Sequence, residues 1–159
     1  MMASDVQQDL ASEIAKLALA QHVTVAAAES VTAGTVAAAL ASGQGGGDWF
    51  KGSIVAYQTS MKRDILGVTA GRVITEECAS EMVQGACRLS NADIAVSTTG
   101  VGGPDPEERK PAGTVFIGIG NLSDSEVFEH HFEGDPAAVV SQAATIALQH
   151  LKRALESTA

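Results

Sequence analysis

Two hydroxyl residues, Ser30 and Thr32, stand in the stretch Glu29-Ser30-Val31-Thr32-Ala33-Gly34. The run before it carries Val23 and Val25 and reads as a short strand buried on both faces. The run after it, Thr35 to Leu40, reads as a tightly packed helix. A strand-to-helix corner points backbone N–H groups and short hydroxyls at whatever lies above the sheet, and the partial positive charge of a helix N-terminus suits an anion or a developing oxyanion. Ser30 and Thr32 are therefore either plain helix caps or the centre of a site. The corner is not the G-x-S-x-G nucleophile elbow, because Ala28 and Thr32 occupy the glycine positions. It is not a phosphate loop, since no Lys-Ser/Thr pair follows a glycine run.

A nucleophilic serine needs a base. His22 precedes the first strand, His130 and His131 are neighbours that face opposite ways on a late strand, and His150 falls in the terminal helix. All four read as solvated or packed histidines. Lys62 follows a second strand read over Ser53–Tyr57 and so falls at the same sheet edge as Ser30. A lysine among apolar groups or other cations loses its proton and serves as a base, and Arg63 is adjacent; spacing alone favours a solvated surface lysine. A third strand over Asp93–Ser97 opens into Thr98-Thr99-Gly100-Val101-Gly102-Gly103-Pro104. Its glycines let backbone approach a ligand closely, or make a plain turn.

The elements that carry these groups alternate. Helices are expected over residues 5–21, 60–66, 75–89 and from Pro136 to Leu155, and strands over Gly113–Gly120 and Glu126–Phe132 as a hairpin. Gly43–Gly47 reads as a flexible loop and residues 104–112 as a polar loop with no core signal. This pattern predicts one three-layer α/β/α domain over residues 1–159, with a mixed, mostly parallel sheet of about five strands. Four Phe, one Trp and one Tyr against 45% apolar residues favour close packing of small side chains. In such sheets ligands sit beyond the carboxyl ends of the parallel strands, which is where Ser30, Tyr57, Lys62 and Thr99 fall.

A net charge of −9 argues against a broad nucleic-acid-binding surface. With no leader pattern and no apolar run of membrane-spanning length, the chain reads as soluble and cytoplasmic, with no membrane partner. Cys78 and Cys87 lie nine residues apart on one helix, on opposite faces, and read as free thiols; no metal-ligand spacing is present.

Three motifs in order, A-E-S-V-T-A-G (28–34), G-S-I-V-A-Y (52–57) with K-R-D-I-L-G-V (62–68), and S-T-T-G-V-G-G-P (97–104) followed by K-P-A-G-T-V-F-I-G (110–118), resemble the CinA C-terminal domain family. The resemblance spans residues 8 to 155 and looks like a stand-alone form of that domain. These are the nicotinamide-nucleotide amidohydrolases, or NMN deamidases. The resemblance implies hydrolysis of the carboxamide of nicotinamide mononucleotide (NMN) to nicotinic acid mononucleotide and ammonia, without a cofactor or metal, in a homo-oligomer. It implies Ser30 as nucleophile, Lys62 as its base and Tyr57 as a helper. It places Glu29, Thr32, Gly34, Thr99, Gly100, Gly102 and Gly103 around the substrate. Amides at the start of the 32–40 helix are then expected to hold the oxyanion.

Two departures bear on the substrate. Where the family usually has G-D-R followed by another Arg, this chain reads Gly134-Asp135-Pro136-Ala137-Ala138-Val139. The common G-I-A-G-P-x-G-G loop is here G-V-G-G-P-D-P-E-E. A missing arginine removes a charge-assisted phosphate contact, unless Arg109, Lys110 or a neighbouring subunit replaces it. The alternatives are an amidase of another small amide, or a non-catalytic ligand-binding or competence/damage-inducible partner protein on the same fold.

Overall fold

A computed structural model describes residues 2–159. The first helix, α1 (Asp5–Gln21), starts where the Ser4 hydroxyl accepts from the Gln7 amide while the Gln7 side chain accepts from the Ser4 amide. There follow β1 (Val25–Glu29), α2 (Thr35–Ala41), α3 (Gly46–Trp49), β2 (Phe50–Val55), α4 (Thr59–Asp64), α5 (Glu76–Ser90), β3 (Ile94–Gly100), β4 (Thr114–Gly120), β5 (Ser125–His131) and α6 (Pro136–Ser157). Thr75 caps α5 through the Cys78 amide, and Asn91 ends it in the left-handed conformation. Asp135 caps α6, with Pro136 in its first turn.

The strands form one sheet in the order β2-β1-β3-β4-β5. β1 pairs in parallel with β2 and β3, and β4 and β5 continue antiparallel. One face packs against α1, α2 and α6: Val25, Ala27, Val96 and Ile117 meet Ile14, Leu40, Leu148 and Leu151. The other packs against α5 and the turn after α4: Ala26, Ala28 and Ala95 meet Leu66, Met82, Val83 and Ala86. Every residue of β1 is buried, which explains its run of alanines: small side chains on both faces let helices close from both sides. Gly85 carries this to its limit, because a Cβ there would stand 2.2 Å from the Leu66 carbonyl oxygen. This is the three-layer, mixed five-stranded fold that the alternation of elements predicts.

Three elements differ from the sequence reading. β2 begins at Phe50 and ends at Val55, so Tyr57 lies beyond the strand; a register shift at Val25/Ala26, with Gly52 at φ +131°, accommodates the early start. The glycine-rich segment runs from a turn into a short helix, α3, fixed by buried Trp49, whose indole N–H donates to the Gln44 carbonyl at 3.0 Å. β3 runs on through Thr98, Thr99 and Gly100, because β4 supplies antiparallel partners at Ile117, Phe116 and Val115.

Candidate active site

The corner after β1 is built around a buried carboxylate. Glu29 Oε1 accepts from the Thr32 hydroxyl at 2.8 Å and from the amides of Gly34 and Val36 at 3.1 and 2.9 Å. Its Oε2 accepts from the Ala37 amide at 3.0 Å and the Ser53 hydroxyl at 2.8 Å. The carboxylate thus serves as the N-terminal cap of α2, which its own N-cap residue, Gly34 at φ +101°, has no side chain to provide. Thr32 is fully buried, its proton committed to Glu29 and its oxygen 2.8 Å from that of Thr98. Glu29 and Thr32, expected around the substrate, face inward and brace the corner instead.

This corrects the expected oxyanion site. The Gly34, Val36 and Ala37 amides are taken by Glu29, that of Ala33 bonds to the Ser30 carbonyl, and that of Thr35 to the Thr32 carbonyl. Ser30 donates its amide to the Thr98 carbonyl at 3.0 Å, which ties the corner to β3. Among the described residues, the Val31 and Thr32 amides have no protein acceptor, and neither does that of Gly102. Gly102 lies beside them, since a Cβ on it would be 3.7 Å from Val31 Cγ2. Free donors therefore follow Ser30 directly, before α2 begins at Thr35, and of the expected helix-start amides that of Thr32 stays free.

Ser30 and Lys62 meet at one atom. The Ser30 hydroxyl points at the Tyr57 carbonyl at 3.5 Å, and Lys62 Nζ donates to the same oxygen at 3.0 Å. Their functional atoms are therefore no farther apart than those two contacts laid end to end. Lys62 is 2% exposed, which overturns the surface-lysine reading favoured by spacing. Burial pulls its pKa below the ordinary lysine value of 10.5, opposed by the carboxylates of Glu108 and Glu107 and, once it ionises, by Cys78. Tyr57 joins the site through its backbone, while its side chain is 66% exposed. Thr99 is buried in β3, its hydroxyl donating to the Val73 carbonyl at 2.6 Å, rather than in an open loop. Gly100 pairs with Val115, whereas Gly102 and Gly103 lie in the loop beyond β3.

Cys78, the other nucleophilic side chain near Lys62, is a free, buried thiol whose pKa burial raises to about 11. It stays protonated and inert. The histidines do not enter the site: His130 and His150 pair with each other at 3.0 Å, His131 contacts Glu129 at 2.8 Å, and His22 is an exposed helix C-cap. A cleft of about 840 Å³ lies at the opposite end of the sheet, lined by Val23, Ile94, Ile119, Phe128, His150 and Arg153 among others. Its lining includes neither Ser30 nor Lys62. Among the described residues no helix is long and apolar enough to cross a membrane.

Comparison with known proteins places this arrangement in context. The model of the CinA C-terminal domain matches residues 7–155. A CinA-like protein of Endomicrobium trichonymphae is 36% identical over 152 residues, covering 92% of this chain and 36% of that protein. The chain spans about a third of the length of the curated relatives it matches. Among solved structures, a competence-damaged protein (CinA) superfamily protein of Klebsiella pneumoniae superposes with TM-score 0.90 at 31% identity, covering 95% of this chain and 98% of that one. A competence or damage-inducible protein of Enterobacter asburiae gives 0.91 at 25% identity, covering 96% and 99%. With the family model matching residues 7–155 and the fold superposing over nearly the whole length, the chain belongs to the CinA C-terminal domain family.

Proposed function

We propose that this domain is a serine amidohydrolase acting on the carboxamide of nicotinamide mononucleotide. The observation that carries the reading is the convergence of the Ser30 hydroxyl and the buried Lys62 Nζ on the Tyr57 carbonyl. Burial lowers the Lys62 pKa and so raises the fraction of the lysine that presents a lone pair. Neutral Lys62 takes the Ser30 proton as the serine oxygen bonds to the carboxamide carbon, and the Val31 and Thr32 amides receive the oxyanion. Lys62 returns the proton to the departing nitrogen, which leaves as ammonia. Water then attacks the acyl-enzyme and gives a proton to Lys62, which passes it to the departing Ser30 oxygen as the carboxylic acid is released.

Ammonia release from the purified protein with nicotinamide mononucleotide, beside Ser30→Ala, tests this. Release that vanishes in the variant supports the reading; equal release from both proteins ends it. A second reading is favoured by one observation. Asp135 and Pro136 are spent on starting α6, with alanines at 137 and 138, where family members usually place phosphate-binding arginines. An amidase of an unphosphorylated small amide is that second reading. Ser30-dependent ammonia release from nicotinamide riboside at a higher kcat/KM than from the mononucleotide selects it.

A further inference from the structure

One side chain draws the β3–β4 loop down onto the chain ahead of α5. The Glu108 carboxylate accepts from the Val73 amide at 3.0 and 3.1 Å and from the Ile74 amide at 2.8 Å. Glu107 and Lys110 exchange backbone hydrogen bonds of 3.1 and 2.7 Å around a two-residue tip, Glu108-Arg109. Both tip residues are left-handed, with φ +50° and +64°. Two consecutive non-glycine residues hold that conformation only with support from outside the tip, and the Glu108 clasp provides it.

The clasp and the loop root both touch the strands and turns around the site. The Val73 carbonyl, in the same peptide group as the clasped Ile74 amide, accepts the Thr99 hydroxyl at 2.6 Å. At the loop root, Gly102 rests beside Val31, the residue after Ser30. Negative charge on Glu107 and Glu108 of the loop acts on Lys62, raising its pKa against the lowering by burial.

We propose that Glu108 is a positioning residue for the Ser30–Lys62 pair: clasped to Val73 and Ile74, it locks the 102–112 loop, and with it the Glu107–Glu108 pair, beside Lys62. The loop is more than a solvated connection, since its two carboxylates offset part of the lowering that burial imposes on the Lys62 pKa. Released, the loop withdraws that negative field, and Lys62 deprotonates at lower pH. The part that concerns catalysis rests on the amidohydrolase reading above, but the clasp and the lysine titration do not.

The test uses the full chain with Glu108→Ala and Glu108→Gln. Hydrogen exchange at the Val73 and Ile74 amides is expected to quicken at least about tenfold in Glu108→Ala. It should quicken less in Glu108→Gln, which keeps an acceptor oxygen. In ¹³C spectra of labelled lysine, the Lys62 Cε titration is expected to shift to lower pH in both variants. Unchanged exchange would overturn the clasp, and an unmoved Lys62 titration would overturn the positioning role. Neither readout needs turnover, so both stand apart from wild-type ammonia release, which alone decides the amidohydrolase reading. If turnover is present, the acid limb of kcat/KM in Glu108→Gln moves to lower pH together with the titration.

Discussion

Ser30 and Lys62 are joined through a single acceptor, the Tyr57 carbonyl, which lies 3.5 Å from the Ser30 hydroxyl and 3.0 Å from Lys62 Nζ. The lysine contact is the shorter one, so in this arrangement the carbonyl holds the base in place while leaving the serine proton loosely bound. Ser30→Ala removes only that long contact. We expect it to abolish ammonia release at a stability cost of about 1 kcal/mol or less, measured by thermal unfolding. A variant that unfolds far below the wild-type temperature would show instead that the hydroxyl is structural.

Lys62→Met separates function from stability. Because burial lowers the Lys62 pKa, the unfolded chain binds this proton up to about 10.5 while the folded chain releases it earlier. In that window the unfolded state carries more protons, so stability rises with pH. Below the folded value the penalty is fully present; above 10.5 it is gone. Lys62→Met should therefore lose all activity yet unfold at a higher temperature than wild type at pH 7, with the gap closing as pH approaches 10.5. A variant less stable than wild type at pH 7 would contradict this. The activity of the wild type should rise with pH as Lys62 loses its proton.

Glu29 accepts five hydrogen bonds while almost fully buried. Glu29→Ala leaves three amides and two hydroxyls without that acceptor and should cost roughly 3–5 kcal/mol in urea unfolding, at the upper end for one substitution. Glu29→Gln should cost less, because one oxygen remains. A rise in KM with unchanged stability would return Glu29 to the substrate.

The His130–His150 pair should make the β5–α6 contact acid-sensitive. The two Nε2 atoms are 3.0 Å apart, with Phe128 stacked on His150 and Phe132 on His130. Burial, then His130 and Arg153, lower His150 to about 4; burial, then His131, lower His130. Between 6.5 and about 4 the unfolded histidine takes up a proton that the folded one refuses, so stability falls as pH falls through that window. The loss at its lower end is on the order of 3 kcal/mol. His150→Phe should flatten the decline between pH 6.5 and 5 in urea midpoints; an unaltered slope would assign it to other groups.

Much of this was legible in the sequence for identifiable reasons. The helices over 5–21, 75–89 and from Pro136 and the small-residue β1 are local signals, governed by side chains within a few residues of one another. Lys62 was legible as a candidate by its position but not by its state. Burial is a property of what α5 and the 102–112 loop bring against it, and spacing along α4 contains neither.

The sequence by itself determined the order of elements, the α/β class and the corner that carries Ser30, because hydrophobic period and short polar caps act over one or two turns. The tertiary structure alone decided the rest. Ser53 of β2 reaches back to Glu29, so the α2 amides were spent on a carboxylate and the free donors moved to Val31 and Thr32. Antiparallel pairing with β4 drew Thr99 into the sheet, and Glu108 crossed from the β3–β4 loop to Val73 and Ile74. The Ser53–Glu29 contact spans 24 positions, the Glu108 contacts 35 and 34, and the Thr99–Phe116 pairing joins two separate strands. Whether a polar group is free for chemistry depends on which distant partner has already claimed it.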